Sequence, residues 1–274
     1  MQRCVGQVMH MFEEQIDNDH IVMQGGTSEG TQIKYRKDGF WYKKDNRGRE
    51  GLAEYLASGI LEFSTLSPKE YVRYEIGNIN GHPGCRSRDF LLPDEELITF
   101  YRLYYNEMGK DLSQVTNRMD EMEERIEYVI NFINQSCGLD VRDYLSKILT
   151  LDMLILNEDR HFNNLAVILK RDEFVSAPIF DNGVSLLTAN QSVNWHFPIE
   201  ENVKKVVARP FSGSHERMVK YLGMGFELDW ENALKWLENE PESIERNVLI
   251  YQMQRYYKKV EQINGTTARD HSFF

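Results

Sequence analysis

The sequence lacks long hydrophobic runs and contains few cysteines. No apolar stretch approaches the roughly 20 residues that a membrane-spanning helix requires, and the first six residues do not supply the apolar core of a signal peptide. The three cysteines, Cys4, Cys85 and Cys137, are far apart and show neither metal-ligand spacing nor a disulfide framework. These absences predict a soluble, cytoplasmic protein with free thiols.

Positive charge is also in deficit. Lys and Arg number 32 against 43 Asp and Glu, which gives a net charge of −11. Because nucleic-acid binding depends mainly on cationic contacts with phosphates, we expect no direct binding to nucleic acid, and the acidic surface also disfavours anionic membranes. The 274 residues, 41% of them hydrophobic, are sufficient for one large folded domain or two lobes.

Strand-like patterns dominate the first ninety residues. Residues 31–44 are typical of a β-hairpin, because Asp38-Gly39 is a strong tight-turn signal between two strand-like runs. Residues 52–63 carry their apolar side chains at helical spacing. Two further strand-like runs, 71–79 and 84–91, are joined by a turn-forming segment. The first part of the chain is therefore predicted to be mostly strands with one helix.

Helical patterns dominate the rest of the chain. The sequence Pro93-Asp94-Glu95-Glu96 combines a proline with acidic residues and is typical of a helix N-terminus. Apolar residues then recur at helical spacing in three segments, 119–133, 141–156 and 249–263. Between the second and third of these, residues 165–180 predict a short hairpin.

The order of these elements predicts an α+β fold of the bilobal protein kinase-like type. A small β-rich N-lobe is expected at residues 1–92 and a larger, mostly helical C-lobe at residues 93–274. A nucleotide would bind in the cleft between them. A metabolic α/β enzyme would instead alternate strands and helices evenly along the chain.

One short motif carries the chemistry. Asp159 stands five residues ahead of Asn164, and Asp181 follows at the end of the predicted hairpin. Phosphoryl transfer from ATP requires one carboxylate for the acceptor hydroxyl, together with an Asn and a second carboxylate for Mg²⁺. We expect Asp159 to act as the catalytic base and Asn164 and Asp181 to coordinate Mg²⁺, which prefers oxygen ligands. The alternative is that these residues only form turns.

His161 is a further catalytic candidate. It follows Asp159 by two residues, and could either steady the loop through backbone carbonyls or contact the γ-phosphate. The loop-steadying role is favoured for His161 and for its neighbours Arg160, Asn157 and Asn163.

The nucleotide-binding candidates lie upstream. Glycines allow backbone N–H groups to approach phosphates closely, which suggests a phosphate-binding loop; its candidate residues are Gly26, Thr27, Ser28 and Gly30. Lys43, on the second strand of the hairpin, is expected to contact the α- and β-phosphates, with Lys44 as the alternative. Glu54, on the following helix, is expected to pair with this lysine, with Glu50 as the alternative.

These residues resemble those of the HipA-like serine/threonine kinases, including the shorter CtkA-like bacterial members. The resemblance rests on Asn157-x-Asp159-Arg160-His161-x-x-Asn164 and on residues 177–183, Ala-Pro-Ile-Phe-Asp-Asn-Gly. It also includes residues 50–55 and the Gly-rich segment, and it covers about residues 20–190. The order Asp-Arg-His-x-x-Asn is similar to that of lipid kinases as well.

The resemblance implies ATP, Mg²⁺ and transfer of phosphate to a Ser or Thr of a protein substrate. It also implies a possible antitoxin-type partner and autophosphorylation of Ser28 or Thr27 in the Gly-rich loop, which would place negative charge where ATP phosphates should lie. Three alternatives stay open: a lipid or small-molecule kinase on the same fold, a pseudokinase scaffold, and a regulatory component of a toxin-antitoxin pair.

Overall fold

The computed structural model describes residues 11–22 and 33–270, with side chains described as far as residue 258. The predicted Gly-rich loop lies outside the described residues, and with it Gly26, Thr27, Ser28 and Gly30. Within the described part, no helix is long and apolar enough to cross a membrane.

Residues 12–88, as far as the structure describes them, form a five-stranded sheet and one α-helix. The elements are β1 (Phe12–Glu14), β2 (Lys34–Lys37), β3 (Phe40–Lys44), α1 (Glu50–Ile60), β4 (Tyr74–Ile79) and β5 (His82–Arg88). The strand order is β1-β4-β5-β3-β2, with β1 parallel to β4 and the other neighbours antiparallel. The predicted hairpin, helix and two further strands are therefore confirmed.

Packing against α1 holds this sheet in place. The helix is buried along almost its whole length, because the sheet covers one side and the helical part of the chain covers the other. Gly59 lies against the Trp236 ring, and a Cβ at this position would come within 2.1 Å of that ring, so a larger residue would have to displace it.

The remaining described elements are mostly helices. They are β6 (Glu95–Thr99), α2 (Phe100–Met108), α3 (Leu112–Thr116), α4 (Met122–Cys137), α5 (Arg142–Ile155), β7 (Ala166–Lys170), β8 (Glu173–Ser176), α6 (Ile199–Val203), α7 (His215–Leu222), α8 (Trp230–Asn239) and α9 (Ile244–Asp270). Strands β6, β7 and β8 form a separate antiparallel sheet. The fold is α+β and bilobal, as the sequence predicted.

One local prediction was wrong. The segment Pro93-Asp94-Glu95-Glu96 does not begin a helix but leads into β6, which pairs with β7 from Glu95↔Lys170 to Thr99↔Ala166. Helix α2 begins only at Phe100, where the Thr99 hydroxyl accepts a hydrogen bond from the Arg102 N–H. Pairing with a distant strand overrides the local helix signal, since β-structure depends on tertiary context.

The main core surrounds α5. From Tyr144 to Ile155 nearly every side chain of this helix is buried, and the residue that ends it, Leu156, has a left-handed backbone (φ 57°). The chain therefore leaves a rigid, fully packed helix in a sharp turn, and the Asn157–Asn164 segment begins there.

Candidate active site

Lys43, Glu54 and Asp181 meet at one buried point. The Lys43 ammonium donates to Glu54 Oε1 at 2.7 Å and to Asp181 Oδ1 at 2.8 Å. Lys43 comes from β3, Glu54 from α1 and Asp181 from the segment after β8. Three separate parts of the chain thus bring their charges together, and Glu54 is only 1% exposed.

The two open alternatives lie elsewhere. The ammonium of Lys44 lies 5.2 Å from the centre of the Tyr35 ring. The carboxylate of Glu50 accepts hydrogen bonds from the backbone N–H groups of residues 46, 47 and 48, at 2.6 to 3.1 Å. Glu50 therefore holds the loop before α1, and the ion pair is formed by Lys43 and Glu54.

Electrostatics keep Asp181 and Lys43 ionised, whereas burial, partly opposed by Lys43, raises the pKa of Glu54 above its ordinary value. Burial would raise the pKa of Asp181, but Lys43 and Lys34 outweigh it and hold the pKa of this carboxyl well below its usual range. Burial would likewise lower the pKa of Lys43, whereas Asp181 and Glu54 together raise it well above its ordinary value. At neutral pH the site presents a carboxylate and an ammonium group side by side.

The backbone of residues 181–183 holds Asp181 in its place beside Lys43. Asp181 has a positive φ of 59°, which is uncommon for a residue other than glycine, and its N–H donates to the Tyr74 hydroxyl at 3.3 Å. The next N–H, of Asn182, donates to Glu54 Oε2 at 2.9 Å. Gly183 then allows close packing, since a Cβ there would lie 3.1 Å from Glu50 Cβ.

The Asn157–Asn164 segment forms the second half of the site. The Asn157 side chain donates to Asp152 Oδ1 at 2.9 Å and accepts from the Asp159 N–H at 2.9 Å. Its backbone carbonyl is bonded to His215 Nε2 at 2.8 Å. Asn157 therefore braces the turn between α5 and Asp159.

Arg160 joins this segment to Asp181. Its guanidinium is fully buried, pairs with Asp152 through two nitrogens at 3.0 and 2.8 Å, and donates to the Phe180 carbonyl at 2.8 Å and to Asn182 Oδ1 at 2.6 Å. These last two partners flank Asp181. Arg160 thus fixes the loop that carries Asp159 and Asn164 against the segment that carries Asp181.

The carboxamide of Asn164 is hydrogen-bonded through its nitrogen but not through its oxygen, within the part of the chain that the structure describes. Its Nδ2 donates to the Asp159 carbonyl at 3.1 Å, while its Oδ1 is buried and has no hydrogen-bond partner among the described residues. Leaving a buried polar atom without a partner costs free energy, so the orientation of this carboxamide suits an external ligand such as a cation.

Asp159 and His161 are the more open members of the site. The Asp159 side chain is 41% exposed, and its Oδ2 lies 4.0 Å from His161 Nε2. His161 Nδ1 is buried without a hydrogen-bond partner in the described part of the chain, and its carbonyl accepts from the Asn164 N–H at 2.8 Å. The Asp159 carboxylate is thus accessible from solvent.

Sequence reasoning missed three residues of this site: Asp152, His215 and Lys34. A charged residue inside the apolar sequence Leu151-Asp152-Met153-Leu154 was the available signal for Asp152, because buried carboxylates need a partner. His215 and Lys34 carried no such signal, since only the folded chain brings them near Asn157 and Asp181.

These elements together define the bilobal protein kinase-like fold, with the candidate site between the β-rich part and the helical part. No protein-family model matches the chain, and no curated protein sequence matches it. Among solved structures, the chain is similar to the Helicobacter pylori proinflammatory kinase CtkA, with a TM-score of 0.61 and 17% sequence identity, over 88% of this chain and 95% of that chain.

A second solved structure is more distant. It is the HipA of the Shewanella oneidensis MR-1 toxin-antitoxin system, in complex with HipB and its operator DNA. The TM-score is 0.47 and the identity 11%, over 90% of this chain and 68% of that chain.

Proposed function

We propose that the chain is an ATP-dependent phosphotransferase, a HipA-like protein serine/threonine kinase that binds its nucleotide between residues 1–92 and residues 93–274. One observation carries the proposal. The Lys43–Glu54–Asp181 cluster is connected through Arg160 to the loop that bears Asp159 and Asn164. This is the set of groups that phosphoryl transfer from ATP uses.

The donor set fits Mg²⁺. Among the described residues, no three or more His, Cys, Asp or Glu side chains cluster as a metal site, but Mg²⁺ typically takes one or two carboxylates and completes its shell with phosphates and water. Asp181 would supply the carboxylate and Asn164 Oδ1 the neutral oxygen. When bound, the ion would neutralise charge on the phosphates.

Each of the protein groups would have a separate role in the transfer. Lys43 would bind the α- and β-phosphates, with Glu54 fixing its position. Asp159 would accept a hydrogen bond from the acceptor hydroxyl and take its proton while the oxygen bonds to the γ-phosphorus and the bond to ADP breaks. Base catalysis of this kind contributes roughly 10²–10⁴-fold. His161 would steady Asp159 or contact the γ-phosphate.

Transfer of labelled phosphate tests the proposal. The wild type and the Asp159→Ala and Asp181→Ala variants are incubated with [γ-³²P]ATP, Mg²⁺ and a lysate of host proteins, and Asp120→Ala, at an exposed position, is the matched control. We expect labelled protein with the wild type and the control, and a loss of roughly 10²-fold or more with the other two. Equal labelling by all four proteins would refute the assignment.

Parallel incubations separate the alternatives. Label that enters lipid extracts or small alcohols but not protein would indicate the lipid or small-molecule kinase, and nucleotide binding without any transfer would indicate a pseudokinase. An antitoxin-type partner and the absence of nucleic-acid binding stay predictions from the sequence, and a pull-down from the host would examine both.

Autophosphorylation is a separate part of the proposal. Ser28 or Thr27 would accept phosphate in the Gly-rich loop, and the added charge of about −2 would oppose ATP binding there. Phosphopeptide mapping after incubation with Mg²⁺ and ATP should find phosphate at one of these positions in the wild type and none in Asp159→Ala. Unmodified Ser28 and Thr27 in an active wild type would disprove this part alone.

A further inference from the structure

Lys34 lies beside Lys43 and faces the same carboxylate. The two lysines are direct cross-strand partners in the β2–β3 pair. The ammonium of Lys43 is 2.8 Å from Asp181 Oδ1, and that of Lys34 is 3.8 Å from Asp181 Oδ2. The Lys34 side chain is only 16% exposed, so its charge is directed into the candidate site rather than into bulk solvent.

Two like charges directly opposite each other on one sheet face are destabilising. In this protein the repulsion is offset by two anions, since Asp181 lies near both ammonium groups and Glu54 pairs with Lys43. The two ammonium groups and the two carboxylates therefore balance each other as long as Asp181 binds no other cation, and Lys34 is the second cation of this balanced cluster.

We propose that Lys34 is a second phosphate-binding residue, which contacts the phosphate chain of a magnesium-bound nucleoside triphosphate together with Lys43. This inference rests on the proposed function and deepens it. When Asp181 coordinates a cation, its carboxylate balances the lysines less completely. The phosphates then supply the missing negative charge, and both ammonium groups are already positioned to receive it.

A purely structural role makes a different prediction. If Lys34 only neutralised Asp181, its loss would change stability and would affect every nucleoside ligand alike. If Lys34 binds phosphate, its loss weakens the binding of each ligand more, the more phosphates that ligand carries, and leaves the binding of adenosine unchanged. A series of ligands with and without phosphates therefore separates the two roles.

Titration calorimetry provides the test, with adenosine, Mg·ADP and the magnesium complex of a non-hydrolysable ATP analogue (called Mg·ATP below), which prevents autophosphorylation during the titration. The proteins are the wild type, Lys34→Met, Lys34→Gln and Lys34→Arg, with Lys37→Met as the control from the same strand, because Lys37 pairs with Glu14 at 2.7 Å. Loss of a hydrogen bond to a charged group predicts roughly 10- to 100-fold weaker Mg·ATP binding by the Met and Gln variants. We expect a smaller loss for Mg·ADP, unchanged adenosine binding, near-recovery in the Arg variant and no change in the control.

Two outcomes would overturn the inference: wild-type affinity for Mg·ATP in folded Lys34→Met or Lys34→Gln, or equal weakening of ATP and adenosine. Thermal unfolding identifies the variants that are folded. The Lys34→Arg variant retains the positive charge, so its affinity for Mg·ATP can be compared with that of the wild type. Nucleotide binding is measured without turnover. A wild type that binds Mg·ATP through Lys34 but transfers no phosphate would therefore refute the proposed function and not this inference.

Discussion

Arg160 and Asp152 form a salt bridge in which neither side chain has exposed surface, with Nη2 and Oδ1 2.8 Å apart. Asp152 belongs to α5, the most buried helix of the core, and Arg160 to the loop after it. Because Arg160 also bonds both neighbours of Asp181, this one pair ties the fold to the candidate site.

Removing one partner of this pair should lower the free energy of unfolding of the protein. Arg160→Met leaves the Asp152 carboxylate buried without its cation, which typically costs about 3–5 kcal/mol. Urea denaturation measures the free energy of unfolding. Arg102→Met, which breaks an exposed pair with Glu96, should cost less than about 1 kcal/mol.

The double variant Arg160→Met/Asp152→Leu sharpens this prediction. It removes both charges, so most of the lost stability should return, while phosphate transfer should stay low because the loop is no longer tied to the Asp181 segment. A double variant with wild-type transfer would show that Arg160 does not position the site.

Asn164 should set the magnesium requirement. Asn164→Ala removes the buried Oδ1, so a higher Mg²⁺ concentration is expected for half-maximal transfer. Asn164→Asp keeps an oxygen ligand and should recover part of the effect. A magnesium titration of initial rates makes the measurement, with Asn163→Ala as control, since Asn163 Oδ1 accepts from the Thr99 hydroxyl. The same requirement in all four proteins would contradict the assigned role.

Lys43 and Lys44 should differ strongly in function. Lys43→Met leaves two carboxylates without their shared cation, and truncation of one partner of a buried charge pair costs about 2–5 kcal/mol, so kcat/KM for ATP should fall about 10²-fold or more. Lys44→Met should change it less than about fivefold, since the cation–π contact of this half-buried lysine contributes roughly 0.5–1 kcal/mol. Equal losses, measured by steady-state kinetics, would argue against the Lys43 assignment.

Asp45 should make stability depend on pH. Its Oδ1 accepts from the Gly51 N–H at 2.7 Å, and burial, partly opposed by that hydrogen bond, raises its pKa from 3.8 to about 6. Between these values the folded protein binds the proton more tightly than the unfolded chain does. The contribution of Asp45 therefore makes the free energy of unfolding fall as pH rises from about 4 to about 6.

The Asp45→Asn variant keeps the acceptor oxygen and removes this titration. Its stability relative to the wild type should increase as pH rises through this window, and then stay constant above about pH 7. Urea midpoints measured from pH 4 to pH 8 give the comparison. A difference that does not vary with pH would exclude the contribution of Asp45.

The sequence was most informative where the signal is local. The Asp38-Gly39 turn predicted its hairpin, and apolar spacing predicted α1, α4, α5 and α9, because turn geometry and helix periodicity depend on neighbouring residues. The Asp159 and Asn164 motif was recognisable for the same reason. Its proposed chemistry still depends on the experiments above.

The sequence was least informative where distant residues decide. The residues before β6 carry helix-like signals, yet pairing with β7 makes this segment a strand. Arg160 contacts Asp152 only because the chain turns sharply where α5 ends. Lys34 and Asp181, which also meet, are 147 positions apart in the chain. No periodicity or spacing rule reaches across such separations.

A structure determined with Mg²⁺ and a non-hydrolysable ATP analogue tests the central claim most directly. Octahedral Mg²⁺ coordination predicts oxygen ligands at about 2.0–2.1 Å, two of them from Asn164 and Asp181, with Lys43 on the α- and β-phosphates and Asp159 facing the γ-phosphate. A metal held by other residues, or a nucleotide bound away from Lys43, would contradict the account.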